Sequence, residues 1–309
     1  MTTRRSFVTL SLGAGLLPAL RPAASFASAE RPVIRLWPDV PPGGGGPDGD
    51  ERTNRHGGVS NVRSPSMDVF LPAQGNGAAV LVAAGGGYKR IEMAAEAHPA
   101  AQWLVARGFT VFVLTYRLPG EGWHAGPLAP LQDAQRALRI IHAQAEQFRV
   151  HRDHVSLLGF SAGGHLLGMA ATRAAFASYP AGDAIDREPA HACAAALIYP
   201  VITLAPPYDH TSTRRELVGN DPSPALTAEW SVDTHVKAGC PPMLLVQAED
   251  DPISNPVNTT LMAEACRRAN VPVELHHLPA GGHGFGMGHA GSPTAMWPQW
   301  YEAWLKRLG

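Results

Sequence analysis

The sequence predicts an α/β protein built on a mostly parallel, twisted sheet with helices on both faces. Two observations carry this: short apolar runs rich in β-branched and aromatic residues alternate with helix-patterned stretches from residue 78 onward, and most of these runs are apolar throughout, as strands covered on both sides must be. The chain has 309 residues, 45% hydrophobic and 17% charged. That is enough for one large core, and no internal repeat divides it, so a single domain is expected over residues 30–309. Net charge is −1, with no basic cluster able to neutralise a run of phosphates, so nucleic acid is excluded as a partner.

The first 29 residues read as an address rather than as part of the fold. Arg4-Arg5, an apolar stretch from Phe7 to Leu20 and an A-x-A site at Ala27-Ser28-Ala29 fit a twin-arginine export signal cleaved before Glu30. Gly13, Gly15 and Pro18 interrupt an apolar run already too short to span a bilayer. No later segment approaches transmembrane length, so a periplasmic or secreted chain without a stable membrane span is expected. Cys193, Cys240 and Cys266 are odd in number and far apart. They leave room for one bridge in an oxidising compartment but not for a disulfide framework, and without a Cys-x-x-Cys pair they do not suggest a zinc site.

The elements follow in order. Pro38 to Asp50 is a Pro/Gly-rich loop. Ala79 to Ala84 is a short buried strand ending in glycines, and Ala94 to Arg107 a helix stopped by Gly108. Thr110 to Tyr116 is a strand. Leu128 to Phe148 is a helix with Leu131, Ala134, Leu138 and Ile141 at helical spacing. Val155 to Phe160 is a strand leading into a helix from Gly163 to Ala174. Cys193 to Tyr199, Met243 to Gln247 and Val271 to Leu275 are further strands, with helices at Thr259 to Arg268 and Thr294 to Leu308. Residues 203–236 have weak periodicity and many Pro, Asp and Thr residues. They fall between two strands, where a lid or substrate-shaping insertion would sit.

Chemistry enters at Gly159-Phe160-Ser161-Ala162-Gly163, a G-x-S-x-G pattern. It requires a strand, a sharp turn and a helix, and it stands where those elements meet. Ser161 is the candidate nucleophile. Acyl transfer builds charge on a carbonyl oxygen, which needs N–H donors fixed in place beforehand. Ala162, following the nucleophile, is one candidate donor, and Gly86 or Gly87 in Gly85-Gly86-Gly87-Tyr88 is the other, with Tyr88 as a pocket wall. No G-x-G-x-x-G or Gly-Lys-Ser/Thr accompanies the triplet, which argues against a nucleotide cradle.

A serine hydroxyl needs a base. Of 14 histidines, His283 stands out, because Gly281-Gly282-His283-Gly284 forms a loop after the last expected strand. His289 is a decoy in the same loop, His276 and His277 read as structural, and His165 packs behind Ser161. The orienting acid is expected at the end of the preceding strand, in Glu249-Asp250-Asp251-Pro252. Asp251 is the first choice, Asp250 the second and Glu249 the third. The spacing does not fit a calcium loop. The order Ser161, Asp251, His283 is that of the α/β-hydrolase fold.

These motifs, with Tyr116-Arg117, Asp133-Ala134-Gln135-Arg136-Ala137 and Gly-Gly-His-Gly-Phe, resemble those of the bacterial acetyl esterases, also described as acetylxylan or carbohydrate esterases, of the α/β-hydrolase superfamily. The similarity runs from Ala79 to the C-terminus, although Ala84 stands where those enzymes usually have a histidine before the glycine triplet. It implies metal-free and cofactor-free hydrolysis of short acyl esters, acetyl above all, on small molecules or oligosaccharides. Arg117, Asp133 and Arg136 read as structural ion-pairing groups. The rival readings are a peptidase of the same fold, which usually carries an extra domain, and a noncatalytic binding protein, against which the full set of site residues argues.

Overall fold

The computed structural model describes residues 31–308, so the export-signal reading of residues 1–29 lies outside the described residues. Its centre is an eight-stranded sheet in the order β1-β4-β6-β5-β7-β8-β9-β10. The strands are β1 (Val33–Arg35), β4 (Ser66–Phe70), β5 (Ala79–Ala83), β6 (Thr110–Thr115), β7 (Val155–Phe160), β8 (Ala194–Ile198), β9 (Met243–Ala248) and β10 (Val273–Leu278). From β6 to β10 every pairing is parallel, while β1 and β4 add an antiparallel edge. A separate ribbon pairs β2 (Arg52–Thr53) with β3 (Val59–Ser60).

Every residue of β5 to β9 is buried. A strand buried at successive positions is covered on both faces, which is why these runs show no polar alternation. Strand β4 differs: its burial alternates, with Met67 and Val69 inward and Asp68 at the surface between them. It is the half-covered antiparallel strand that the search for continuous apolar runs passes over.

The helices are α1 (His98–Val105), α2 (Leu128–Ala143), α3 (Ser161–Thr172), α4 (Ser212–Val218), α5 (Pro224–Glu229), α6 (Val257–Arg268) and α7 (Trp297–Leu308). None of the described helices is long and apolar enough to cross a membrane. The helix expected at 94–107 is divided. A π-helical turn, Met93–Ala97, precedes α1, and Pro99 stands in the first turn of α1. Proline has no N–H for the carbonyl four residues back, so the ladder opens at that point. The helix expected to end at Phe148 stops at Ala143, and the last one begins as a 3₁₀ turn, Pro293–Met296, before α7. The final strand lies later than its apolar pattern suggests, at 273–278. Its residues are mostly half-buried because it is an edge.

Two ion clusters, one fully buried around Asp133 and one opening to the surface at Asp183, hold the N-terminal segment. Asp133 on α2 accepts hydrogen bonds from the Arg117 side chain (3.0 Å), the Arg117 amide (2.8 Å) and Trp37 Nε1 (2.7 Å). Arg136 pairs with Asp183 and Asp186 and donates to Leu36 O. The three cysteines are unbridged.

Candidate active site

The site lies at the carboxyl ends of β5, β7, β8, β9 and β10, where loops leave a parallel sheet and ligands of open α/β folds collect. Strand β7 delivers Ser161 as the first residue of α3, with a positive φ of 50°. A non-glycine residue held there is strained and persists only where its surroundings leave no alternative. Its neighbours supply that constraint by being absent. A Cβ on Gly159 would lie 2.5 Å from Gly163 O, and one on Gly163 would lie 2.2 Å from Ala83 O. Helix α3 therefore presses against β5 and β7 with no room for side chains, and the turn projects Ser161.

Ser161 Oγ is 2.8 Å from His283 Nε2, and His283 Nδ1 is 2.8 Å from Asp251 Oδ2. A carboxylate only accepts, so Nδ1 carries the proton and Nε2 presents its lone pair to the serine hydroxyl. The Asp251 side chain is fully buried. Its Oδ1 accepts the amides of Ile253 (2.8 Å) and Ser254 (2.9 Å), and its Oδ2 also accepts Gln247 Nε2 (2.9 Å). Asp250 faces elsewhere: its Oδ1 accepts the amides of Gly281 and Gly282, both at 2.8 Å, which anchors the loop carrying His283. These bonds hold its carboxyl below the usual range, that from Gly282 most of all. Glu249 pairs with His277. Three consecutive acids thus take three different partners.

Gly86 and Gly87 line the cleft, and among the described residues their N–H groups meet no protein acceptor. The Ala162 amide sits in the first turn of α3, where a helix has no acceptor of its own. Tyr88 does not face the cleft. It is 1% exposed, and its hydroxyl donates to His165 Nδ1 at 3.0 Å. A positive φ of 59° turns the chain at this residue, so the ring points into the core against Tyr116 and His165. The expectation of a tyrosine wall is corrected accordingly: Lys89, Arg90 and Glu92 take that place. Burial pushes the His165 imidazole down to about 4, and with Trp230 O at its Nε2 it is a neutral packing residue. His276 stacks on Trp300 and pairs with Glu274.

The cleft encloses about 500 Å³. Thr211, Ser212 and Thr213 reach it from the start of α4, so the aperiodic 203–236 segment shapes this wall. Glu96 is one of several lining residues that sequence reasoning did not single out, and it is the buried one with a distinct role. It is 4% exposed, and its oxygens accept Gly85 N–H (2.5 Å) and the Tyr199 hydroxyl (3.0 Å). Burial is the main cause that pushes its carboxyl up to about 7, against the lowering effect of those two hydrogen bonds and of His283. A lone glutamate in an alanine-rich helical stretch gives no signal in the sequence.

The BD-FAE family matches residues 67–266. The chain belongs to the BD-FAE family. This BD-FAE chain is 28% identical over 255 residues to an acetylxylan esterase of Xylanibacter ruminicola, covering 81% of this chain and 48% of the relative. It is 32% identical over 213 residues to endo-1,4-beta-xylanase B of Butyrivibrio fibrisolvens, covering 66% of this chain and 32% of that protein. It therefore spans about half or less of the length of these relatives. Among solved structures, the acetyl ester-xyloside bifunctional hydrolase of Caldicellulosiruptor lactoaceticus superposes with a TM-score of 0.75 at 29% identity, over 91% of this chain and 97% of that one. A Thermogutta terrifontis esterase superposes at 0.67 with 22% identity, over 84% of this chain and 94% of its own. The fold of this BD-FAE chain is the α/β-hydrolase fold.

Proposed function

We propose that the chain is a serine carboxylic-ester hydrolase that removes short acyl groups, acetyl above all, from carbohydrate fragments. The observation that carries this reading is the unbroken relay Asp251–His283–Ser161 beside amides with no protein acceptor. Ser161 Oγ attacks the ester carbonyl as His283 Nε2 takes its proton. The oxyanion is held by the N–H groups of Gly86 or Gly87 and of Ala162. Such donors are worth several kcal/mol to the transition state. The carbon–oxygen bond to the alcohol then breaks, and His283 returns the proton to the departing oxygen. Water, deprotonated by His283, attacks the acyl-enzyme and frees the acid and Ser161.

Lys89, Arg90, Glu92, Thr211 and Ser212 line the cleft beside Ala95, Val201 and Ile253, a mixed wall that offers hydrogen-bonding partners to a hydroxyl-bearing alcohol. The relatives named for acetylxylan and acetyl ester hydrolysis point the same way. Export after removal of residues 1–29, leaving one hydrolase domain outside the cytoplasm, fits a substrate met there.

The test is hydrolysis of p-nitrophenyl esters of increasing chain length beside acetylated xylo-oligosaccharides and a dipeptide amide. Acetyl esters should be turned over, long acyl chains and the amide poorly, and a fluorophosphonate probe should label Ser161. Ser161→Ala should abolish turnover and labelling with an unchanged circular dichroism spectrum. Preference for long chains would overturn the acetyl reading, preference for the amide would favour a peptidase, and an unlabelled wild-type protein would favour a noncatalytic binding protein.

A further inference from the structure

We infer that Glu96 is a positioning residue that clamps the glycine loop and the histidine loop to each other, so that one buried carboxylate sets the distance between the oxyanion donors and the base. This rests on the esterase reading for its consequence, but the clamp itself is a matter of contacts. Glu96 Oε2 accepts the amide of Gly85, immediately before Gly86 and Gly87. Its Oε1 accepts the hydroxyl of Tyr199, and that same hydroxyl oxygen accepts the amide of Gly286 at 3.0 Å, three residues after His283. Glu96, through the Tyr199 hydroxyl, thus joins two loops that share no strand and lie almost 200 residues apart in the chain.

The parts of the clamp are held under constraint. Tyr199 has a positive φ of 39° and is fully buried, with its ring edge-on to Phe285 at 4.4 Å and to His283 at 5.0 Å. Glu96 is carried on the π-helical turn Met93–Ala97. Such turns often mark functional positions, because they re-aim a side chain that a regular helix would direct elsewhere. Nothing in the relay from Ser161 to Asp251 needs Glu96, yet a carboxylate has been buried beside it. A carboxylate accepts on both oxygens, whereas a carboxamide accepts on only one. Both bonds here need an acceptor, which explains the choice of residue.

The charge makes the clamp sensitive to pH. Facing Glu96 are Glu92 on its own segment, with Arg90 paired to it, Tyr116 at the end of β6, Tyr199 after β8 and His283. The two tyrosines are held neutral by burial, which leaves Glu92, whose charge raises the Glu96 carboxyl, and His283, which lowers it, as the neighbours that modulate Glu96. Protonation turns one carboxyl oxygen into a hydroxyl and leaves the bond to the other neutral, at about half the strength of a charge-assisted one, so both loops loosen together as the buried carboxyl takes up a proton.

The experiment is amide hydrogen exchange on the full chain, wild type against Glu96→Gln and Tyr199→Phe, alongside steady-state hydrolysis of p-nitrophenyl acetate. Both variants should speed exchange in two segments at once, residues 85–91 and 281–288, with the rest of the sheet unchanged. In the wild type, exchange corrected for its intrinsic pH dependence should rise in the same two segments between pH 8 and pH 5.5, and Glu96→Gln should lose that response. Glu96→Gln should lower kcat at pH 8 by about tenfold or more with KM little changed, since the loss is one of alignment. Its low-pH fall in kcat/KM should also be shallower than that of the wild type. Exchange rising in neither segment or in only one, or an unaltered kcat with an unaltered acid limb, would overturn the clamp. Absence of hydrolysis and of Ser161 labelling in the wild type would instead overturn the esterase reading, and the exchange data would still decide whether the clamp exists.

Discussion

Replacing Asp251 by asparagine changes one atom and should disable the site. Asp251 Oδ1 is committed to two backbone donors, Ile253 N at 2.8 Å and Ser254 N at 2.9 Å. The new NH₂ must therefore occupy the Oδ2 position, where Gln247 Nε2 and His283 Nδ1 now donate at 2.9 and 2.8 Å. Donor would meet donor at both contacts. Gln247 relieves its conflict by flipping, because its Oε1 has no partner, at the expense of the bonds from its Nε2 to Ala248 O and Ser254 O. His283 relieves its own by moving its proton to Nε2, directly opposite Ser161 Oγ. The base then has no lone pair for the serine proton. A wrong tautomer of this kind costs about 10⁴ in kcat, or roughly 5 kcal/mol of transition-state stabilisation. Hydrolysis of p-nitrophenyl acetate at pH 7, with circular dichroism to check the fold, measures it. Turnover within tenfold of wild type in a folded Asp251→Asn protein would refute the assignment of Asp251 as the orienting acid.

Three further outcomes follow from neighbouring contacts. Glu96 takes up a proton near pH 7 in the fold against an ordinary value of 4.5, so its contribution to global stability, set by the burial of its charge, is fully present below about pH 4.5 and is lost as pH rises through about 7, even though the ionised form makes the stronger local bonds to Gly85 and Tyr199. That amounts to about 3 kcal/mol at about 1.4 kcal/mol per pH unit. The melting temperature of Glu96→Gln relative to wild type should therefore climb between pH 5 and pH 8, and a flat difference would contradict it. Arg117→Met strands the fully buried Asp133 carboxylate with only the Trp37 indole and one amide, and urea unfolding should show a loss of about 3–5 kcal/mol. Asp250→Ala frees the Gly281 and Gly282 amides but leaves the relay intact. It should reduce kcat about tenfold, far less than Asp251→Asn, because it loosens the loop without changing the base; equal losses would mean that the two aspartates have been assigned the wrong way round.

What could be read in advance was whatever depends on near neighbours in the chain. The run Val155–Phe160 followed by Gly159-Phe160-Ser161-Ala162-Gly163 encodes a strand, a strained turn and a helix within about a dozen residues, since the glycines at 159 and 163 answer a local steric demand. The order of serine, acid and histidine along the chain is likewise visible without coordinates. The short antiparallel strands β1 and β4 escaped, being half-covered and lacking a continuous apolar run.

Tertiary structure decided which side chains meet. Asp250 and Asp251 are neighbours of identical chemistry, and only the path of the chain after β9 turns one carboxylate toward His283 and the other toward the backbone of its loop. Tyr88 looks like a wall residue beside three glycines, yet a positive φ swings its ring into the core. Glu96 reaches Tyr199 across 103 positions of sequence. Local conformation follows from each residue's own sterics and hydrogen bonding, whereas such meetings depend on sheet twist, helix docking and loop course summed over the whole domain.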